Sequence, residues 1–599
     1  MQDEQSSGGL TVRAVAGSYN VLIALDLTEA ARQGCLGFSI QRTQVGVAGS
    51  ERWLPNMLHF PNDSVAGLAT SVRAPLQVFR WGDYTAKPGT AYQYRVVPRY
   101  GSPSEILAGG DGSATEPAGG VTVTVTTEPE DAHGSFIFFN RGAAASNAYV
   151  TKFGDADPQS APGALAWLSR GLIEGIIAFL ERASGPGHAL HAVIYEFQKP
   201  ELLQALAAAK ARGADVRVVY HARVKGPAAL KADLTERRET AQSIAAAAGP
   251  AATADDDDDE AGGTDHTRLK NEQAIADANL VQILGAGALT ARSAPPQGAI
   301  MHDKYVVHLE GGVPQAILTG STNWTDGAIY GQLNVAHVVN DPAIAAIYEQ
   351  SFQLLARNPG AKATKAANAA ITPIPANVAA IPKGTTPVFS PQDTLAMIDL
   401  YAEICKRARL LFVSAPFLLH QQIRDALNSP SNGALRYVLG DKQGSFGKKG
   451  AIEVMNGDPG RVGVVATMLG TKLNDFQGRL LEKTESFHHA GVHVHSKVIL
   501  ADPFSDDPIL VCGSANFSKG STTVNDSNSL IVRGRSGVID IYATEFMRMF
   551  QHYWFRFRVK EEADKGEGHA LGLDPTTAWQ DQFYDPAHTE FRARTIFVS

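Results

Sequence analysis

At 599 residues, with 44% hydrophobic and 19% charged side chains, the chain has the composition of a soluble globular protein of three or four domains. Its 53 basic and 61 acidic residues leave a formal charge of −8, which excludes a global positive field for nucleic acid or anionic membrane. Three scattered cysteines, Cys35, Cys405 and Cys512, exclude a disulfide framework and a cysteine-held metal.

The chain opens with neither a basic nor an apolar segment, so no secretory signal is read there. The expected compartment is the cytoplasm, with leaderless export compatible. No charge-free apolar run approaches the ~18 residues of a membrane span. Residues 1–130 read as all-β: short apolar runs at 20–25, 36–40, 91–98 and 120–125 are separated by Gly, Pro and Asn turns. Residues 131–357 alternate helical and strand patterns. Helical apolar spacing runs over 165–182 and 201–212, with strands at 191–197 and 215–220, which predicts an α/β unit with a largely parallel sheet. An Ala-rich, then acidic insertion at 223–266 interrupts it and reads as a flexible solvated loop. Residues 358–391, rich in Ala, Pro and Thr, read as a linker. A second α/β unit is expected over 392–558, with a tail at 559–599 whose Trp579, Phe583 and Tyr584 dock on the body.

The two α/β units share a polar pattern. His302-Asp303-Lys304 is followed by Gly320-Ser321-Thr322-Asn323, and His495-Ser496-Lys497 by Gly513-Ser514-Ala515-Asn516, each position lying 193 residues after its counterpart. Each copy reads as a hairpin of two apolar strands. Residues i and i+2 of a strand share a face, so His and Lys point together into one pocket. The glycine permits close backbone approach, and Ser and Asn add hydroxyl and amide groups. Two such half-sites bring two imidazoles, two ammonium groups, two hydroxyls and two amides to an anion whose charge grows in the transition state, such as a phosphodiester. One imidazole attacks phosphorus and the other protonates the leaving oxygen, while Lys and Asn hold the non-bridging oxygens. His488, His489 and His493, with no completing carboxylate or Cys, read as substrate-side or surface histidines, and no metal or other cofactor is expected.

This doubled pattern resembles the phospholipase D superfamily, whose signature is His-x-Lys-x4-Asp followed by Gly-Ser-x-Asn. The resemblance spans roughly 134–558 and implies two α/β halves with mixed sheets about a pseudo-twofold, preceded by a β-sandwich similar to fibronectin type III or immunoglobulin domains. It implies a metal-independent phosphodiesterase working through phosphohistidine. The implied site residues are His302, Lys304, Ser321 and Asn323, facing His495, Lys497, Asp502, Ser514 and Asn516, with His302 as the expected nucleophile and His495 as acid and then base. Two departures stand out. Leu309 replaces the motif's Asp in the first copy, and where the family often has a carboxylate that orients a His, this chain offers Gln332 and Asn334, then Asp526 and Ser527. The expected substrate is a phospholipid head group, met by peripheral membrane contact. The alternative is a nuclease of the same superfamily acting on nucleic acid, and the third reading is a non-catalytic scaffold that uses the sandwich to bind a partner protein.

Overall fold

In the computed structural model the described residues are 1–61, 63, 68–108, 119–132, 134–142, 149, 152–154, 156–223, 264–294, 299–441, 443–446, 455–466, 493–564 and 572–599. Most of the acidic insertion, and His488 and His489, lie outside them.

The N-terminal region is all-β and antiparallel. One sheet orders Gln2–Ser7, Leu10–Ala16, Val21–Leu27 and Arg80–Asp83; the other orders Val121–Thr126, Ala91–Tyr100, Cys35–Gln44 and Arg52–Trp53. Period-two sequence produces this directly: in Val121–Thr126 the valines are buried and Thr122 and Thr124 exposed. Val12, Ile23, Phe38, Tyr94 and Val123 share one core. Trp579 and Phe583 of the tail enter that core, Trp579 stacking on Phe79 at 5.6 Å and donating its indole N–H to the Cys35 carbonyl at 3.1 Å.

Two mixed sheets follow. The first, of eight strands, runs Asp131–Ala132, Ser135–Phe139, Val335–Val339, Val313–Gly320, Lys304–Glu310, His188–Ile194, Asp215–His221, Leu289–Arg292. The second, of seven, runs Gly384–Ser390, Ser527–Arg533, Ile509–Gly513, Val498–Ala501, Leu410–Ala415, Leu435–Gly440, Arg461–Val465. The expectation of a largely parallel sheet is corrected here. Only the last three strands of each order are parallel to one another. The rest are antiparallel, because each motif hairpin is inserted beside them. In the first hairpin Gly311 and Gly312 both take positive φ, 59° and 78°, the geometry of a two-residue turn that joins antiparallel strands.

Two further expectations change. The helix read over 165–182 is two, Ala164–Ser169 and Leu172–Glu181, broken where Arg170 and Gly171 adopt φ of 49° and 88°. The linker read over 358–391 carries a helix, Ala361–Ile371, and the strand Gly384–Ser390. Alanine is the strongest helix former. Pro387 is tolerated because its strand pairs on one side only, as the edge of the second sheet. Between the sheets, the helices Pro342–Leu355 and Gly537–Asp564 fill one continuous core, in which Phe412 stacks on Phe546 at 4.7 Å and Tyr305 meets Tyr348 edge-on at 5.0 Å. No helix among the described residues is long and apolar enough to cross a membrane.

Candidate active site

Each His-x-Lys lies at the entrance to a hairpin strand, and each Gly-Ser-x-Asn at the exit of its partner. Gly320 and Gly513 have φ of 143° and 147°, and a Cβ on them would stand 2.2 Å from the Val335 carbonyl oxygen and 2.4 Å from that of Asn528. Glycine is therefore required for the chain to turn there. The serine that follows is locked to the neighbouring strand: Ser321 N–H donates to Val335 O at 3.1 Å and Ser514 N–H to Asn528 O at 2.9 Å. In return Ser321 Oγ accepts from Val335 N–H at 3.2 Å and Ser514 Oγ from Asn528 N–H at 3.0 Å.

Reciprocal backbone bonds join the two sheets at the histidines. His302 N–H donates to Asp526 O at 2.7 Å, and His495 N–H to Leu333 O at 3.1 Å. Each lysine folds back on its own histidine, Lys304 Nζ to His302 O at 2.7 Å and Lys497 Nζ to His495 O at 2.8 Å. The two imidazoles consequently face each other, with ring centroids 6.4 Å apart and planes at 74°. His302 is 3% exposed and His495 4%. Burial first, then the cations of both lysines, pushes both imidazoles well below their ordinary range. Asn323 and Asn516 are also buried, and Asn323 Oδ1 has no hydrogen-bond partner among the described residues.

Asp502 sits elsewhere. It follows the far end of the Val498–Ala501 strand, and its carboxylate accepts from Arg409 N–H at 2.8 Å and Leu410 N–H at 2.9 Å. It ties the start of one strand to the end of another. At the matching place Leu309 does the same work by packing, 5% exposed within the core between the sheets. The loss of the first-copy aspartate therefore leaves the imidazoles untouched.

Several residues at the site carry no motif signal. Tyr195 lies under Lys304 at 4.9 Å and against His302 at 5.1 Å, and Phe417 stands likewise 6.0 Å from Lys497 and 6.4 Å from His495. Each follows the strand paired with the motif strand, a position that sequence marks only as a strand end. Asn140 donates to the carbonyls of Ala328, Ile329 and Gln332 at 3.2, 2.8 and 2.6 Å and accepts from Asn334 N–H at 2.9 Å, fixing the loop before Asn334. Asn334 Oδ1 lies 2.9 Å from His495 Nδ1. Asp526 does not reach an imidazole with its carboxylate, which is bound by Arg223 at 2.5 Å and Arg292 at 2.9 Å. Asp303 accepts from Asn528 Nδ2 at 2.7 Å, and burial pushes its carboxyl up to about 7. His493 lies beside Asp441, its N–H donating to the carboxylate at 2.5 Å. Among the described residues no three His, Cys, Asp or Glu side chains are grouped to hold a metal ion.

Mixed α/β sheets with a His-x-Lys hairpin in each define a phosphodiesterase-like fold. The family model "Cardiolipin synthase, PLD-like domain" matches residues 176–356, so this part of the chain is similar to the PLD-like domains of the phospholipase D superfamily. Similar solved structures include phosphatidylserine synthase of Haemophilus influenzae, with 10% identity, 72% of this chain and 93% of that one covered and a TM-score of 0.36. Nuc of Salmonella typhimurium is similar at 19% identity over 29% of this chain and 94% of that one, TM-score 0.20. Yeast tyrosyl-DNA phosphodiesterase is similar at 11% identity over 59% and 86%, TM-score 0.30. No curated protein matches the sequence.

Proposed function

We propose that this protein is a phosphodiesterase that needs no metal, built from two α/β halves about a pseudo-twofold and preceded by a β-sandwich. The observation that carries the reading is the pair of buried imidazoles 6.4 Å apart, each held by a backbone bond to the opposite half. The pseudo-twofold is supported by the recurrence of one 193-residue offset in four sets of bonds: histidine N–H to the opposite sheet, lysine to histidine, serine N–H to strand and strand N–H to serine.

In the proposed reaction one imidazole Nε2 forms a bond to phosphorus as the bond to the leaving oxygen breaks, and the second imidazole gives that oxygen its proton. Water, deprotonated by the second imidazole, then displaces the first. Lys304, Lys497, Asn323 and Asn516 hold the non-bridging oxygens and balance the charge that develops there. A phospholipid is the preferred substrate, supported by the cardiolipin synthase family to which 176–356 is similar; a nucleic-acid phosphodiester is the second reading, supported by the superfamily. The test is cleavage in EDTA of phosphatidylcholine, phosphatidylglycerol, single-stranded DNA and duplex DNA by wild type, His302→Ala and His495→Ala. Cleavage of a lipid, lost in both variants, is expected. Cleavage of DNA alone transfers the reading to a nuclease, and activity that survives either substitution overturns the mechanism.

A further inference from the structure

The two half-sites differ at the atom behind each imidazole. Asn334 Nδ2 donates to the Ala328 carbonyl at 2.9 Å and to Gln332 Oε1 at 3.2 Å. Turning the amide over would set its oxygen against that carbonyl, so the orientation is fixed. Oδ1 then accepts from Ser321 Oγ at 2.8 Å and faces His495 Nδ1 at 2.9 Å. An amide oxygen only accepts, so His495 Nδ1 carries the hydrogen and Nε2 the lone pair.

Among the described residues no side chain stands in the same way behind His302. There its Nδ1 is buried with no hydrogen-bond partner, and the residue 193 positions after Asn334 is Ser527, whose Oγ is also buried and unpartnered among the described residues. The difference extends one layer out. Asn140 pairs across from Asn334 in the first sheet, whereas Ser390 pairs across from Ser527 in the second. A serine side chain is too short to bring an acceptor to the ring, so among the described residues no side chain sets the tautomer of His302 from behind; the backbone contacts, Ser514 on His302 and Ser321 on His495, are the same in both halves and leave Asn334 as the difference.

We infer that Asn334 is a positioning residue that holds His495 as its Nδ1–H tautomer, and that His495, not His302, forms the bond to phosphorus. This rests on the phosphodiesterase reading for the role of His495 but not for its tautomer. The His495 Nε2 lone pair attacks phosphorus, the P–O bond to the leaving group breaks, and the leaving oxygen takes the proton of His302, which is acquired from solvent when the anionic substrate binds. Water then gives a proton to His302 and its oxygen to phosphorus, and the P–N electron pair returns to His495 Nε2. A His302 with no side chain bonded to its Nδ1 suits the group that must gain and lose a proton each turnover, and a His495 held at Nδ1 by Asn334 suits the group that must present one lone pair.

The first test uses the full chain labelled with 15N at histidine and needs no substrate. The His495 nitrogens are expected at the shifts of an Nδ1–H tautomer in wild type, to move towards a mixture in Asn334→Ser, which copies the other half, and to keep the tautomer in Asn334→Asp. A mixed or Nε2–H signal from His495 in wild type overturns the positioning role. The second test is turnover with base-quenched peptide mapping of the 32P-labelled adduct. Asn334→Ser is expected to lower kcat about tenfold or more with KM changed less than about twofold, with Asn334→Asp recovering most of it and shifting the acid limb of the pH profile upward. The label is expected on His495. Label on His302 overturns the assignment of the attacking group even if the tautomer holds. Absence of turnover and of adduct on every phosphodiester defeats the phosphodiesterase reading and the attacking role with it, while the nitrogen shifts still decide the positioning role.

Discussion

At the scale of single residues, the site depends on backbone freedom and on buried polar groups. Gly513→Ala forces a Cβ towards the Asn528 carbonyl at a φ that L-residues avoid, and is expected to cost about 1–3 kcal/mol with loss of activity; calorimetry and a cleavage assay check both. Asp502→Ala is expected to lower the urea midpoint, by about 1–2 kcal/mol of stability, because two backbone N–H groups lose their acceptor. Activity per folded molecule should stay as in wild type, since the carboxylate stands at the strand end away from the imidazoles. Burial holds the His337 imidazole at about 4, below the 6.5 it has when unfolded. The unfolded chain then binds the extra proton, so this stability is complete above pH 6.5 and is lost as pH falls towards 4. Asp303, raised to about 7 from 3.8, works in the opposite sense between those values. The clean measurement is therefore a comparison: between pH 7 and 5 wild type should lose about 2 kcal/mol more than His337→Gln. Parallel pH curves would contradict this.

At the scale of elements, the motif hairpins were legible because short continuous apolar, β-branched runs, joined in the first copy by a two-glycine turn, state a hairpin locally. The breaks in pattern were less so. Arg170 sits in a helical apolar rhythm, yet its side chain turns inward to Glu545 of the Gly537–Asp564 helix, where Asn20 Nδ2 also donates at 2.6 Å. That long-range pull, invisible in a local window, ends one helix and starts another. The same applies to 358–391, where composition suggested a tether and the unpaired edge of the second sheet recruited a strand. Of the candidate site, the His, Lys, Ser and Asn positions could be read from the repeat. Tyr195, Phe417 and Asn140 could not, because only folding brings strand ends together. Arg170 and Glu545 are both buried, and Glu545→Leu strands the guanidinium without its carboxylate. The expected loss is about 3–5 kcal/mol in chemical denaturation, and a change within 1 kcal/mol would show that Arg170 finds solvent or another partner.

At the scale of the whole molecule, the two sheets, the all-β region and the tail share buried surface. The core between the sheets takes in Val15, Leu22 and Ala24 from the N-terminal strands and Phe597 from the last helix, and the core of the all-β region takes in Trp579. The imidazole pair exists only because of this assembly, since each histidine is held by a carbonyl of the other sheet. The central claim is that the two motifs form one active centre rather than two. It is tested most directly by measuring phosphodiester cleavage in EDTA for wild type, His302→Ala, His495→Ala and the double variant. One shared centre predicts that each single variant is as inactive as the double. Two single variants that each keep about half of the wild-type rate, with only the double inactive, would contradict it.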